Sequence, residues 1–273
     1  MRWSERQQAM LREIGVRLWL PPSAEIGAQA EAMPAPVPAA VVVPTVVPVV
    51  VPVAAPVVAP PMRSPAPAAD GAVATLDWPA LREAVAGCQA CALSRTRKNT
   101  VFGVGHPRAH WMIVGEAPGE LEDREGEPFV GAAGQLLDRM LAALGLTRAE
   151  APADKQVFIA NTLKCRPPRN RNPEPEELQR CQPYLERQVA LVQPRVILAM
   201  GRFAVQSLLG TDEAIGRLRG RVHQWRGVPL VVTYHPAYLL RQPADKAKAW
   251  EDLCLAAEMG HPVAGSGAHP PGG

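Results

Sequence analysis

The strongest constraint on the fold of this 273-residue chain is a proline-punctuated stretch near its N-terminus. Between Glu31 and Arg63 there is no charged residue, and Ala, Val and Pro make up almost the whole segment, with prolines at 34, 36, 38, 44, 48, 52, 56, 60 and 61. Hydropathy alone would suggest a membrane span. Each proline, however, removes a backbone donor and clashes with the preceding turn, which a helix in lipid does not tolerate so often. The stretch is expected to be an extended linker, rising about 3 Å per residue and able to span on the order of 100 Å. Residues 1–22 read as a short amphipathic peptide, 23–75 as the disordered linker, 76–259 as the folded domain and 260–273 as a disordered tail. Met1 to Leu20 carries acidic and basic residues throughout and lacks the continuous apolar core of a signal peptide. A cytoplasmic protein without a membrane segment is expected.

Within 76–259 four short apolar runs have the character of buried parallel strands: Trp111 to Val114, Val157 to Ala160, Val196 to Ala199 and Leu230 to Thr233. Helical periodicity lies between and beside them. Gln135 to Leu144 places Leu136, Leu137, Met140, Leu141 and Leu144 on one face, and Glu176–Leu191, Phe203–Leu209 and Lys246–Met259 follow the same rule. Strands alternating with helices predict an α/β fold, a three-layer α/β/α sandwich around a central, mainly parallel four-stranded sheet. Ligands in such sheets bind beyond the carboxyl ends of the strands. Those ends are Gly115-Glu116-Ala117-Pro118-Gly119, Asn161, Gly201 and Tyr234-His235-Pro236, so a carboxylate, an amide and an imidazole converge on one rim. That combination suits a polar planar ligand.

The net charge of +3 and pI near 8.7 do not by themselves indicate nucleic acid. Local clustering says more: Lys164, Arg166, Arg169 and Arg171 form one basic group, and Arg217, Arg219 and Arg221 another. Cys88 and Cys91 form a C-x-x-C that is followed by Cys165 and Cys181, while Cys254 stands apart in the last helical pattern. In a reducing compartment four such cysteines point to metal ligation rather than disulfides. Zinc and a [4Fe–4S] cluster both accept four thiolates, and spacing alone leaves both open.

The stretch G-E-A-P-G-E-L-E-D-R-E-G-E-P-F-V-G-A-A-G-Q-L-L at 115–137 resembles the first active-site motif of family 4 uracil-DNA glycosylases. N-T-L-K-C-R-P-P-R-N-R-N-P at 161–173 and H-P-A-Y-L-L-R at 235–241 match the other two signatures in order, a resemblance covering about 180 residues that ends near Met259. It implies a [4Fe–4S] cluster on Cys88, Cys91, Cys165 and Cys181. It also implies a substrate pocket containing Gly115, Ala117, Phe129, Asn161 and His235, in which Phe129 stacks on uracil, Asn161 reads N3 and O4, and His235 acts at O2. Relatives with G-Q-D-P-Y-H carry an aspartate where Ala117 stands, which leaves Glu116 and Glu122 as the carboxylates able to order water or stabilise a cationic sugar. Lys164, Arg166, Arg169 and Arg171 would then contact phosphates, and Tyr238, Leu239, Leu240 and Arg241 would fill the gap left by the extruded base.

The alternative is a uracil-DNA-binding protein that crosslinks to DNA or binds it without turnover. The arginine-rich insertion of the crosslinking relatives does not occur between Lys164 and Pro173. The implied partner is uracil-containing DNA, single- or double-stranded, bound by a monomer. Finally, M-L-R-E-I-G-V-R-L-W-L-P, with Met10, Leu11, Ile14, Leu18 and Trp19, resembles the N-terminal peptide of the psi subunit of DNA polymerase III. That suggests docking on the clamp-loader complex.

Overall fold

A computed structural model describes Glu13 and residues 70–260. The N-terminal peptide apart from Glu13, most of the linker and the tail after residue 260 therefore lie outside the described residues. The packed region starts slightly before position 76: a helical turn at Asp70–Val73 puts Val73 into the core, and Arg187 Nε donates to the carbonyl of Leu76 at 2.5 Å.

The strands are β1 (Val104–Gly105), β2 (Trp111–Gly115), β3 (Phe158–Asn161), β4 (Val196–Met200), β5 (Val222–Trp225) and β6 (Val228–Thr233). The main helices are α1 (Trp78–Ala86), α2 (Glu120–Glu125), α3 (Ala132–Ala143), α4 (Pro175–Val192), α5 (Arg202–Leu209), α6 (Pro236–Arg241) and α7 (Lys246–Gly260). They build one sheet of order β1-β3-β2-β4-β6-β5. The four inner strands are parallel, as expected, while β1 and β5 add antiparallel edges that apolar runs do not reveal. The expected four-stranded sheet thus has six strands among the described residues, four parallel and two antiparallel at the edges.

Each added edge has a local cause. Arg226 and Gly227, at φ of 48° and 81°, form a two-residue hairpin turn between β5 and β6, and β5 alternates outward and inward side chains because one of its faces meets solvent. At the other edge Gly105 has φ 123°, and a Cβ there would lie 1.8 Å from the Val157 carbonyl, so only glycine lets β1 come this close.

Alternation along the inner strands divides the core between two faces. Trp111, Ile113, Ile159 and Leu198 point toward α3 and α7, where Leu137, Leu141, Trp250 and Leu253 are buried. Met112, Val114, Phe158 and Ile197 point the opposite way, toward Leu81 and Val85 of α1, Leu185 and Val189 of α4, and Val205 of α5. The three-layer arrangement follows, with all four parallel strand ends opening on the same side.

Candidate functional site

The parallel strand ends frame a cavity of about 800 Å³. Strands β2 and β3 pair in register through Gly115 and Asn161, so the glycine at one strand end faces the asparagine at the next. A Cβ on residue 115 would lie 2.5 Å from Asn161 Oδ1 and 2.6 Å from the Phe129 ring. Glycine is therefore what allows amide and aromatic ring to share one wall. Asn161 is 2% exposed, and its Oδ1 has no hydrogen-bond partner among the described residues. A buried acceptor left in that state costs about 1–3 kcal/mol unless a ligand donates to it.

Phe129 is buried with φ 56°, a strained value for a non-glycine residue. Two contacts hold it there. Gly134 lies so close beneath the Phe129 carbonyl that no side chain fits, and Glu122 Oε1 accepts from the amides of Val130 at 3.1 Å and Gly131 at 3.2 Å. Glu122 lines the cavity, yet one of its oxygens is committed to anchoring the Phe129 loop.

His235 precedes α6 and caps it, with Nδ1 accepting from the Ala237 amide at 3.1 Å. Burial pushes the imidazole down to about 4, helped by the nearby Arg241 charge and opposed by Glu122. At neutral pH the ring is therefore uncharged, and the Nδ1 contact leaves its single proton on Nε2. Its ring stacks against Phe129 with centroids 5.4 Å apart and planes 26° apart, too close to admit a third ring between them. Gly201 at φ 90° leaves room for His235, whose Cβ would otherwise lie 3.0 Å from a side chain there.

Glu116 is the other carboxylate of the cavity. Burial raises its carboxyl above the usual range, and the Arg202 guanidinium opposes that shift. Its backbone carbonyl accepts from Thr162 Oγ1 at 2.6 Å and from the Leu163 amide at 3.1 Å, which ties the end of β2 to the chain leaving β3. Ala117 lines the same wall. Arg202, Asn170 and Asn172 are cavity residues that reading the sequence did not single out. The strand-end rule would have found Arg202, because it directly follows Gly201.

Around the rim the expected DNA contacts divide. Arg166 meets Glu120 at 3.2 Å and Asn170 Oδ1 at 2.7 Å, and Arg171 pairs with Glu177 at 2.6 Å and Glu174 at 3.2 Å. Arg169 and Arg241 are exposed. Two expected contacts require correction. Lys164 is 1% exposed, with its ammonium turned inward to the Asn161 carbonyl and Gln188, so no phosphate can reach it. Leu239 is also 1% exposed, because the amphipathic turn of α6 directs it into the core beside α3 and α7, and the exposed residue is Leu240. Tyr238 lines the cavity, stacks on Tyr234 and donates to Asp245 at 2.7 Å. In the second basic group Arg219 is drawn to the fully buried Asp252 at 3.1 Å, whereas Arg217 and Arg221 stay exposed.

The four expected metal cysteines come together. Cys88, Cys91, Cys165 and Cys181 line one small cavity with Arg97, Lys164 and Tyr184. Arg97 donates to Cys165 Sγ at 3.0 Å and the Lys164 amide to Cys181 Sγ at 3.3 Å, and the Tyr184 hydroxyl bonds toward Cys88. Among the described residues no three His, Cys, Asp or Glu side chains gather as they would around a single ion. Burial pushes the Cys181 thiol up to about 12 and also raises Cys91 and Cys165, so ligation has to displace protons. Cys254 packs on a different part of the core, against the face that holds α7.

Residues 102–254 match the family described as the uracil DNA glycosylase superfamily. The chain is 43% identical over 188 residues to a type-4 uracil-DNA glycosylase of Pyrobaculum aerophilum, a match covering 66% of this chain and 93% of the relative. A type-4 enzyme of Archaeoglobus fulgidus is 45% identical over 183 residues, 64% of this chain and 89% of the relative. One from Thermotoga maritima is 40% identical over 168 residues, 61% and 84% of the respective chains. Among the described residues no helix is long and apolar enough to cross a membrane.

Proposed function

The chain belongs to the uracil-DNA glycosylase superfamily and is a DNA glycosylase of the type-4 kind, and from that premise we propose that it flips uracil out of DNA and hydrolyses its N-glycosidic bond, the first step of base excision repair. The observation that carries this reading is the buried, unpartnered Oδ1 of Asn161 on one wall with Phe129 and His235. Uracil supplies what that atom lacks. Its N3–H donates to Oδ1, and its O4 accepts from Nδ2. Cytosine presents an acceptor at N3 and a donor at the exocyclic amine, leaving both atoms of the amide mismatched.

Uracil stacks on Phe129, and His235 Nε2–H donates to O2, where charge gathers as the N1–C1′ bond breaks. The electron pair of that bond leaves with the base. A neutral imidazole that strengthens its hydrogen bond to a developing anion favours the transition state over the ground state. Water adds to C1′ of the oxocarbenium-like sugar and gives its proton to the surroundings. Glu116 supplies the nearby negative charge, and Glu122 holds the Phe129 loop. Arg166, Arg169, Arg171 and Arg241 grip the flanking phosphates, with Tyr238 and Leu240 at the gap.

Cys88, Cys91, Cys165 and Cys181 would hold a [4Fe–4S] cluster. Four thiols on one cavity and two N–H···S contacts fit that donor set. When bound, the cluster supplies covalent ties between the segment after α1 and the chain around β3 and α4, with no electron transfer in the hydrolysis. The protein as isolated is expected to contain iron and acid-labile sulfide, unaffected by Cys254→Ser and lost in Cys165→Ser. Zinc without sulfide in an anaerobic preparation would overturn this.

The N-terminal peptide, outside the described residues, would dock on the clamp-loader complex of DNA polymerase III and tether a monomeric, cytoplasmic enzyme near replication forks. Deleting residues 1–75 should then leave oligonucleotide cleavage intact and abolish co-purification with clamp-loader subunits. Incubation with a uracil-containing oligonucleotide tests the central reading. Free uracil and an alkali-labile site are expected; a denaturant-stable adduct would favour the crosslinking alternative.

A further inference from the structure

A buried lysine with neutral partners needs a reason to exist, because removing an ammonium from water is costly. Lys164 lies between the four-cysteine cavity and the uracil-reading wall. Its Nζ donates to the Asn161 carbonyl at 2.7 Å and to Gln188 Oε1 at 2.6 Å. Gln188, itself fully buried, donates onward to the Phe102 carbonyl at 2.8 Å. The lysine's own backbone is pinned at both polar atoms, with its amide on Cys181 Sγ at 3.3 Å and its carbonyl accepting from Val101 at 2.8 Å.

These contacts converge on one peptide plane. The carbonyl of Asn161 is held by the ammonium, and the N–H of the following residue, Thr162, donates to the Gly115 carbonyl at 3.0 Å. A plane bonded at both its oxygen and its nitrogen has lost its freedom to rotate. The backbone that aims the Asn161 amide into the cavity is fixed with it. An apolar side chain could fill the same volume, but it would orphan the carbonyl and the Gln188 acceptor and release that plane.

We propose that Lys164 is a positioning residue for base recognition, which aims the Asn161 amide by holding its main-chain carbonyl and joins that amide to the cysteine site through Cys181. The proposal rests on the reading of Asn161 as the group that recognises uracil.

A double-mutant cycle on the full-length protein tests it. Single-turnover release from a uracil-containing single-stranded oligonucleotide is measured for Lys164→Met, Asn161→Ala and the pair, with iron content and melting temperature followed alongside. Lys164→Met alone should slow release about 10²-fold, as misaiming a recognition group by roughly an ångström does. It should also lower the ratio of uracil to cytosine release while leaving iron content as in the wild type. In the Asn161→Ala background the same substitution should change the rate by less than about threefold, because no amide remains to be aimed. Losses that multiply in the double variant would overturn the proposal. If Lys164→Met does not fold, Gln188→Met removes one anchor of the ammonium and should show the same non-additivity with a smaller loss of about tenfold; multiplying losses there would likewise overturn it. Wild-type release by Asn161→Ala alone would instead bring down the reading of Asn161, and the positioning role with it.

Discussion

The wall proposed to read the base and the rim proposed to grip the strand face opposite physical problems. Asn161, Phe129 and His235 are uncharged at neutral pH, packed by neighbours and held by main-chain contacts, so that one buried acceptor is left without a partner among the described residues. Arg166, Arg169, Arg171 and Arg241 stand at or near the surface, and two of them are paired with the carboxylates of Glu120, Glu174 and Glu177. Discriminating between neutral rings needs hydrogen-bonding atoms fixed in a dry site, since a mismatch is costly only when neither partner can turn to water. Holding a polyanion needs charges that stay solvated until phosphate replaces their partners. Lys164 shows the difference within a single motif, because it belongs to the basic group by sequence and to the wall by structure.

The largest effects should therefore fall on the wall. Asn161→Ala and His235→Ala are each expected to slow single-turnover uracil release by at least about 10²-fold, the loss typical of a donor to developing charge. Wild-type rates in both would break the comparison by moving chemistry away from the strand ends. A smaller effect concerns pH. His235 is held down to about 4, so uracil release should show no inflection near the ordinary histidine value as pH changes around neutrality. Glu116 is raised by burial, so a reaction that uses its carboxylate form should lose rate as pH falls, starting above the range of a free glutamate. Glu116→Gln should remove that acidic limb. An inflection near pH 6.5 that disappears in His235→Ala would mean that the imidazole works as a cation.

The smallest effects belong to the rim. Arg171→Ala or Arg241→Ala should weaken DNA binding several-fold at low salt and reduce the slope of log affinity against log salt by about one. Uracil-to-cytosine selectivity should stay unchanged in both. A selectivity change in either variant would show that rim and wall are not separable.

The inner strands are legible as apolar runs because strands buried on both faces admit little else, and their carboxyl ends carry Gly115, Glu116, Asn161 and His235 to one rim. The edge strands are not. Two residues carry no period in β1, and β5 hides its alternation behind His223 and Gln224, though Arg226-Gly227 offered a turn signal. The spacing of the four cysteines left zinc and a [4Fe–4S] cluster open, and the tertiary structure puts all four on one cavity beside Arg97 and Lys164.

What the sequence determined by itself was the set of chemical groups and the order in which strands deliver them, since hydrophobic patterning is local and the carboxyl ends of parallel strands necessarily face one way. What only the tertiary structure decided was the direction in which each charged or apolar side chain turns. Lys164 and Leu239 point inward, and Arg169 and Leu240 outward, from motifs that look uniform along the chain. That choice depends on partners distant in sequence, such as Gln188 for the lysine and Trp250 for the leucine's core, whose acceptors and apolar surface come within reach only when the layers close.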